Sequence, residues 1–212
     1  MKFPREEYLP YPQPWEWILD NIQFKTNSPF YVDVGANGGI QSSNTGYLEM
    51  DLGWNGICIE PHPEAFARLQ NNRICKKYNC CISESNEEVD FLMVNGYAEM
   101  LSGILTEYDP KHIERIEKDI REAGGSREIV KIPSRSLTSI LEENNIVNIN
   151  YLSVDTEGSE LSVLKSIDFN KFNIEVISVE NNNYHDYVKD FLISKNYQFI
   201  LKVCADEIYI KG

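Results

Sequence analysis

The chain has 212 residues, of which 42% are hydrophobic and 25% are charged, as in a single globular domain with a sizeable buried core. Its formal net charge of -13 disfavours a protein that grips nucleic acid, because an acidic surface repels phosphates. No apolar stretch reaches the roughly 18 residues of a membrane-spanning helix, and the N-terminus lacks an apolar signal core, so we expect a soluble protein.

The first 29 residues are rich in proline and aromatic side chains and are predicted to form an N-terminal arm. A short helix is expected from Pro14, a residue that suits the first turn of a helix, to about Ile22. The arm is interpreted as packed on the domain, and a flap over a substrate site or a subunit contact is the alternative. Residues 30–212 are predicted to form the domain itself.

Residues 30–39 read FYVDVGANGG, a strand that ends in a glycine-rich turn, and a helix is expected over residues 42–52. A strand, a tight turn and a helix N-terminus form a cofactor cradle in doubly wound α/β proteins. The Asp33 carboxylate would repel a pyrophosphate but attract the cationic methionine end of S-adenosylmethionine. The turn therefore favours a methyl donor over a nicotinamide, although a purely structural turn is an equally good interpretation of the glycines alone.

A second apolar run, residues 57–60, is predicted to be a strand that ends at Glu60, before Pro61. An acid about 20 residues beyond a glycine turn is positioned to accept hydrogen bonds from ribose hydroxyls. Two carboxylates at consecutive strand ends are a more specific sign of a cofactor site than the glycines alone. A helix is expected over residues 63–72 and a third strand over residues 78–82, whose end would lie near an adenine.

Residues 83–135 are predicted to be an insertion into the core fold. Strands are expected at residues 89–94 and 129–132 as partners, with a polar loop and a helix over residues 110–123 between them. Asp109 is the expected N-cap of that helix. The insertion is interpreted as a lid that selects substrate, and a solvated surface decoration is the alternative.

The last part of the chain alternates strands with helices. Strands are predicted at residues 149–155, 174–180, 198–202 and 207–210, and helices at residues 136–144, 160–167 and 184–194. Such alternation predicts a mostly parallel sheet, and the short turn before the last strand predicts an antiparallel hairpin. The expected fold is therefore α/β: a Rossmann-like class I methyltransferase fold, with a mostly parallel seven-stranded sheet and a C-terminal antiparallel hairpin.

Three blocks of sequence resemble the FkbM-type methyltransferase family. They read YVDVGANGG at residues 31–39, GWNGICIEP at residues 53–61 and YLSVDTEGSE at residues 151–160. The blocks follow one another in family order from about residue 30 to the C-terminus, and the first 29 residues lie outside the resemblance. The resemblance implies an S-adenosylmethionine-dependent methyltransferase that acts on a hydroxyl oxygen of a sugar or a glycosylated product.

Carried over by position, the resemblance also implies cofactor contacts. The methionine part would be surrounded by Asp33, Gly35, Asn37 and Gly38, the ribose held by Glu60, and the adenine flanked by Pro61 and Ile82. Asp155 would face the reacting centre, and Ser43 would meet the cofactor carboxylate together with the amides of the first helix. Gly39 departs from the family pattern, since many relatives carry an acid earlier in the turn.

Methyl transfer to a sugar hydroxyl needs a base or a metal ion, because the pKa of the hydroxyl is high. The candidate residues lie near the predicted carboxyl ends of strands: Asp155, Glu157, Glu180 and His185. Mg²⁺ bound by Asp155 and Glu180 is an alternative, although substrate binding explains both acids. The competing structural roles are a turn cap at Asp155, helix N-terminal charges at Glu157 and Glu160, and surface positions for His112 and His185.

The leading hypothesis is an O-methyltransferase whose partner is a sugar, nucleotide-sugar or glycoconjugate substrate. A non-catalytic cofactor-binding module of the same fold is the second hypothesis, and a nicotinamide oxidoreductase, disfavoured by Asp33, is the third. Nucleic acid is not an expected partner, and oligomerisation stays open. The five cysteines lack Cys-x-x-Cys spacing, which indicates reduced thiols in a cytoplasmic protein without structural zinc.

Overall fold

The computed structural model describes residues 13–182 and 186–212. The strands of these ranges are β1 (Phe30–Val34), β2 (Asn55–Ile59), β3 (Lys76–Tyr78), β4 (Cys81–Ile82), β5 (Glu88–Gly96), β6 (Gly103–Ile104), β7 (Gly125–Arg135), β8 (Asn148–Val154), β9 (Asn173–Glu180), β10 (Tyr197–Val203) and β11 (Asp206–Lys211). The α-helices are α1 (Pro14–Asn21), α2 (Gly46–Met50), α3 (Pro63–Asn72), α4 (Pro110–Ala123), α5 (Leu137–Glu143), α6 (Glu160–Lys165) and α7 (Asp186–Ser194). None of the helices in the described ranges has the length and apolar character needed to cross a membrane.

Seven strands form a central sheet in the order β3-β2-β1-β8-β9-β11-β10. Neighbours are parallel except at β11, which runs antiparallel to both β9 and β10. The predicted mostly parallel sheet with its C-terminal hairpin is confirmed. The strand order reverses between β1 and β8, and such a reversal opens a ligand-binding crevice at the carboxyl ends of the two strands.

Helices cover both faces of the central sheet, which explains why its inner strands are apolar on both faces. One core cluster contains Ile140 of α5 and Val163 of α6 together with residues of β1, β2, β8 and β9. The other contains Trp15 of α1 and Leu48 of α2 together with Tyr31 of β1. The sheet thereby becomes a rigid support for the residues at its carboxyl edge.

The N-terminal segment is part of this fold from Gln13 onward. Helix α1 begins at Pro14, as predicted, and the Gln13 amide donates to the Glu16 carboxylate at 3.2 Å. Trp15 is buried and stacks on Tyr47 with 4.5 Å between ring centroids. The rest of the predicted arm, residues 1–12, lies outside the described residues.

The helix predicted over residues 42–52 is shorter in the structure, because α2 begins only at Gly46. Ser42 has a φ of 55°, a left-handed conformation that a right-handed helix does not contain. The Ser43 hydroxyl then accepts hydrogen bonds from the amides of Thr45 (3.3 Å) and Gly46 (3.0 Å). Such side-chain bonds offer the backbone a local alternative to a helical turn.

The single strand predicted over residues 78–82 is wrong, because this segment divides between two sheets. Strand β3 ends at Tyr78, and the Asn79 side chain donates to the carbonyls of Glu60 (2.8 Å) and Pro61 (2.9 Å). These bonds accompany the departure of the chain from the central sheet, and β4 then pairs with β7. The local sequence is compatible with a strand throughout, so only the tertiary partners reveal the break.

The second sheet has the order β4-β7-β5-β6; β5, β6 and β7 lie in the predicted insertion, and β4 directly precedes it. Strands β5 and β7 pair antiparallel along their length, which confirms the predicted partnership of residues 89–94 and 129–132. Asp109 caps α4 as predicted, since its Oδ1 accepts the Lys111 amide at 2.8 Å. Ile116 of α4 forms a core cluster with Leu92 and Val94 of β5, so helix and hairpin form one packed unit.

Candidate active site

A cavity of about 340 Å³ lies at the carboxyl ends of β1, β2, β8 and β9. Seven of the residues predicted to bind the cofactor line it: Asp33, Gly35, Asn37, Ser43, Glu60, Pro61 and Ile82. The three acids predicted to serve the chemistry line it as well: Asp155, Glu157 and Glu180. Gly38 lies outside the lining, and its carbonyl accepts a hydrogen bond from the Asn72 side chain at 2.7 Å.

The turn after β1 depends on a glycine at position 35. Gly35 has a φ of 89°, and a Cβ atom there would lie 1.7 Å from the Asp155 carbonyl oxygen. The Gly35 amide donates to the Ile59 carbonyl of β2 at 3.0 Å. On the other side, the Asp155 amide donates to the Val34 carbonyl, also at 3.0 Å. The turn is therefore held between two strands, at a distance that leaves no room for a side chain.

The Glu60 carboxylate is oriented by two backbone amides. Its Oε2 accepts the Asn37 amide at 2.8 Å, and its Oε1 accepts the His62 amide at 2.7 Å. Burial raises the pKa of Glu60 to about 7, and these two amides oppose the shift. Because a carboxylate has about four acceptor positions, about two remain for hydroxyl donors such as those of a ribose.

Asp33 lies buried at the carboxyl end of β1. Its Oδ2 accepts a hydrogen bond from the Thr45 hydroxyl at 2.5 Å. Burial raises the pKa of Asp33, and the nearby Arg73 guanidinium opposes that shift. Asp33 therefore lines the cavity and at the same time belongs to a polar network beneath the glycine turn.

Arg73, which directly follows α3, is the centre of that network. Its guanidinium donates to Glu49 Oε2 (2.7 Å), Gly39 O (3.1 Å), Ser43 Oγ (3.2 Å), Thr45 Oγ1 (2.9 Å) and Tyr31 Oη (2.9 Å). The Ser43 hydroxyl, predicted to meet a cofactor carboxylate, is thus engaged by Arg73 and by the backbone before α2. Arg73 was not predicted from the sequence, because a single arginine at the end of an amphipathic helix matches no motif.

We expect Arg73→Met to lower the free energy of unfolding by about 3–4 kcal/mol, because Glu49 would stay buried without its cationic partner. Urea unfolding followed by circular dichroism measures the change. Arg68→Met is the matched control, since Arg68 pairs with Glu99 at a half-exposed position where an ion pair contributes roughly 0–1 kcal/mol. Equal losses for the two variants would contradict the role of Arg73 beneath the turn.

Three carboxylates that line the cavity lie close together. Oxygen atoms of Asp155, Glu157 and Glu180 lie within 4.8 Å of one another. Burial, and next the charge of Glu180, raise the pKa of both Asp155 and Glu157 well above the ordinary range. A carboxylate with a raised pKa takes up a proton more readily than an ordinary one, which suits a general base. We call these three residues the acidic junction.

Glu157 has two unusual features within the acidic junction. Its φ is 56°, in a region that few residues other than glycine adopt and that recurs at functional sites. Its Oε2 atom is buried and makes no hydrogen bond with the described residues, and His112 Nδ1 lies 3.8 Å away. A buried carboxylate oxygen without a donor is unfavourable. The atom is therefore available to a donor from a bound molecule.

A second cavity, of about 360 Å³, opens beside the first. Both cavities are lined by Glu157, Glu180 and Asn182. The remaining walls come from the insertion, where Tyr108 stacks on His112 at 4.7 Å, and from the start of α7. The acidic junction therefore separates a cavity with the predicted cofactor residues from a cavity without them.

Of the two histidines interpreted as surface residues, the structure describes only His112. His112 is only partly exposed, and its Nε2 lies 3.2 Å from the Leu101 carbonyl, so the surface interpretation is wrong for it. Burial lowers the pKa of His112, which favours a neutral ring at pH 7. His185, the fourth candidate for the chemistry, lies outside the described residues.

Comparison with protein families identifies the family of the chain. The family model described as "Methyltransferase FkbM domain" matches residues 33–201. The chain belongs to the FkbM methyltransferase family. The family match therefore confirms the resemblance that the three sequence blocks carry.

Solved structures share the fold of this FkbM domain at low sequence identity. The methyltransferase FkbM from Methylobacillus flagellatus KT has 17% identity and a TM-score of 0.52, over 90% of this chain and 45% of that one. The METTL16 methyltransferase domain has 12% identity and a TM-score of 0.50, over 93% of this chain and 65% of that one. The chain thus spans less than half of the first structure, and no curated protein matches it. At these identities the similarity shows the fold alone.

The insertion of the FkbM domain forms part of the first cavity. Its contribution includes Phe91, Glu99, Met100, Ser102, Gly103 and Arg115. Met100 is 56% exposed although it lines the cavity, so it lies at the entrance. The insertion therefore forms part of the wall of this cavity, and its role as a lid stays a prediction.

Glu160 stabilises the turn that carries Glu157. Its Oε1 accepts hydrogen bonds from the amides of Thr156 (3.1 Å) and Gly158 (2.9 Å). These bonds enclose Glu157 in a tight turn between β8 and α6, where its φ is positive. Glu160 is thus the structural acid of this turn and lines only the second cavity, whereas Glu157 lines both cavities.

Proposed function

We propose that this FkbM domain transfers a methyl group from S-adenosylmethionine to a hydroxyl oxygen of a sugar or glycoconjugate. The observation that carries the proposal is the acidic junction, because Glu157 and Glu180 line both cavities. A donor in the first cavity and an acceptor in the second would then meet beside carboxylates that can take up a proton. The proposal requires no movement of the sheet edge that bears these residues.

The residues of the first cavity fit the donor. Its volume of about 340 Å³ lies within the roughly 300–1,000 Å³ usual for small-molecule sites. The glycine turn admits a ligand close to the backbone, Glu60 offers oriented acceptors to a ribose, and Asp33 offers a negative charge to a cationic group. When bound, S-adenosylmethionine supplies a methyl group that its sulfonium makes electrophilic.

Glu157 is the proposed base. As the acceptor oxygen forms its bond to the methyl carbon, the hydroxyl proton passes to a carboxylate oxygen of Glu157. The buried Oε2 without a hydrogen bond to the described residues is the oxygen best placed to accept it. Burial, and next the charge of Glu180, raise the pKa of Glu157, since burial and a like charge both disfavour its ionised form.

A magnesium ion is the alternative aid to the reaction. The acidic junction has the carboxylate oxygens that Mg²⁺ prefers, with Asp155 and Glu180 as the proposed ligands. A metal there would lower the pKa of the acceptor hydroxyl instead of removing its proton through a free base. Methyl transfer measured with EDTA and with added Mg²⁺ distinguishes the two, and the free-base proposal expects equal rates.

Donor binding tests the proposal most directly. We expect S-adenosylhomocysteine, but not NAD, to raise the melting temperature of the protein and to bind saturably in calorimetry. Glu60→Gln should weaken this binding by roughly tenfold, because an amide replaces one acceptor of the ribose hydroxyls with a donor. Glu64→Gln, on the exposed face of α3, is the control and should bind as the parent does.

Two outcomes would contradict the proposal. Absence of saturable donor binding would remove the methyl-donor site. Intact donor binding without transfer to any of a panel of neutral, amine-bearing and phosphorylated sugars would favour the non-catalytic module.

The proposal also includes a reducing compartment such as the cytoplasm, which the five free cysteines support.

A further inference from the structure

We propose that the second cavity binds the ammonium group of an amine-bearing acceptor, such as an amino sugar, while a neighbouring hydroxyl of that acceptor reaches the acidic junction. The inference rests on the proposed methyl transfer and names the class of its acceptor. It also disfavours phosphate-bearing acceptors such as nucleotide-sugars.

The charge of the second cavity carries the inference. Five carboxylates line its described walls, where there is no lysine or arginine: Glu107, Asp109, Glu157, Glu160 and Glu180. His112 adds little positive charge near pH 7, because burial lowers its pKa. Clefts lined by one sign of charge concentrate ligands of the opposite sign. The walls therefore attract a cation and repel a phosphate.

Two of the five carboxylates are available to a ligand. Glu107 accepts the Ser162 hydroxyl at 2.9 Å, and Asp109 and Glu160 bind backbone amides. Glu157 and Glu180 make no side-chain hydrogen bond with the described residues. Glu157 and Glu180 therefore lie where the second cavity meets the first, without such hydrogen bonds.

The spacing of this pair suits an ammonium group. Oxygens of Glu157 and Glu180 lie within 4.8 Å of each other, so one nitrogen between them can donate to both. An ammonium has three donors, and charge-assisted hydrogen bonds to carboxylates are about twice as strong as neutral ones. A neutral sugar offers hydroxyl donors but no charge.

The aromatic residues of the cavity suit the ring of such an acceptor. Tyr108 stacks on His112 in one wall, and Tyr187 of α7 lies in another at 47% exposure. Aromatic faces bind the apolar face of a ring and attract a nearby cation. The cavity thus combines a surface for a sugar ring with carboxylates for its amine.

The first experiment compares acceptors that differ in charge. The full chain, saturated with S-adenosylhomocysteine, is titrated with a glucosamine oligosaccharide, with its N-acetylated form and with a nucleotide-linked glucosamine. We expect the free amine to bind at least about tenfold more tightly than the other two, and its binding to weaken with added salt. Equal binding of the N-acetylated form, or tighter binding of the nucleotide-linked form, would overturn the inference.

The second experiment changes one wall of the cavity. Glu107 lines the second cavity but not the first, so Glu107→Lys should weaken binding of the amine by about tenfold and leave donor binding unchanged. Asp20→Lys is the matched control, because Asp20 is exposed on α1 outside both cavities and the change in net charge is the same. Equal effects of the two variants would overturn the inference.

Product analysis completes the test. Mass spectrometry and NMR of the methylated amino sugar should place the new methyl group on oxygen. Methylation on nitrogen would overturn the inference, because the amine would then react instead of anchoring the acceptor. Transfer to neutral sugars alone, or only with added Mg²⁺, would overturn it as well while leaving the methyl-donor proposal intact. Failure of donor binding would instead contradict the proposed function.

Discussion

Glu157→Gln is expected to lower kcat for methyl transfer by roughly 100- to 10,000-fold, the usual contribution of a general base. Glutamine keeps the size of glutamate but does not take up the proton of an acceptor hydroxyl. Donor binding should change little, because Glu157 is not among the residues predicted to contact the ribose or the methionine part of the cofactor. Turnover of labelled donor and calorimetry with S-adenosylhomocysteine give the two quantities separately.

The control for this variant is Glu114→Gln, on the exposed face of α4. It removes the same charge outside both cavities and should keep the parental rate. A Glu157→Gln enzyme as fast as this control would contradict the assignment of the base and direct attention to Asp155. Loss of donor binding in Glu157→Gln would instead indicate that the substitution disturbs the turn.

The raised pKa of Glu157 also predicts how stability depends on pH. Because the folded-state pKa lies above the ordinary value of 4.5, the folded protein holds the proton more tightly than the unfolded chain. The resulting stability is present below pH 4.5 and is lost as the pH rises toward the folded-state pKa. Thermal melts between pH 5 and pH 8 should therefore show a weaker decline in Glu157→Gln than in the parent.

Gly35→Ala is expected to reduce the free energy of unfolding by on the order of 5 kcal/mol, a loss that single substitutions reach only exceptionally. The new Cβ would lie 1.7 Å from the Asp155 carbonyl oxygen, so β1 and β8 would have to move apart at the crevice. The φ of 89° adds strain for any residue with a Cβ. Urea unfolding, or recovery of soluble protein if none folds, measures the effect.

Gly53→Ala separates the strain from the clash. Gly53 also has a positive φ, of 72°, but a Cβ there would meet nothing within 4 Å. The free energy of unfolding of Gly53→Ala should therefore fall by only about 1–2 kcal/mol, the cost of the left-handed conformation. A Gly35→Ala protein as stable as Gly53→Ala would show that the turn relaxes, and would contradict the close approach of Gly35 to Asp155.

Four acids that line the first cavity occupy positions that the construction of parallel sheets makes predictable from the sequence. Asp33, Glu60, Asp155 and Glu180 lie at or just beyond the carboxyl ends of strands that run in the same direction. Once the strands are predicted parallel, these ends must share one edge of the sheet. No knowledge of packing is needed for that step, so it succeeded without a structure.

Other parts of the site depend on contacts between distant segments and have no local signature. Arg73 becomes central only because α3 brings it beneath the turn after β1. The second cavity exists only where the insertion approaches α7, so the sequence analysis interpreted His112 as a surface residue. The division of residues 78–82 has the same origin, since the sequence does not reveal that β4 pairs with β7.

The strand order also determines when the first cavity can form during folding. Its two sides come from β1 and β8, which are adjacent in the sheet although the whole insertion separates them in the chain. Contacts of such high sequence separation carry a large loop-closure entropy and form slowly. No N-terminal fragment that ends before β8 would contain the cavity. Donor binding should therefore appear together with the native sheet and report on the completion of folding.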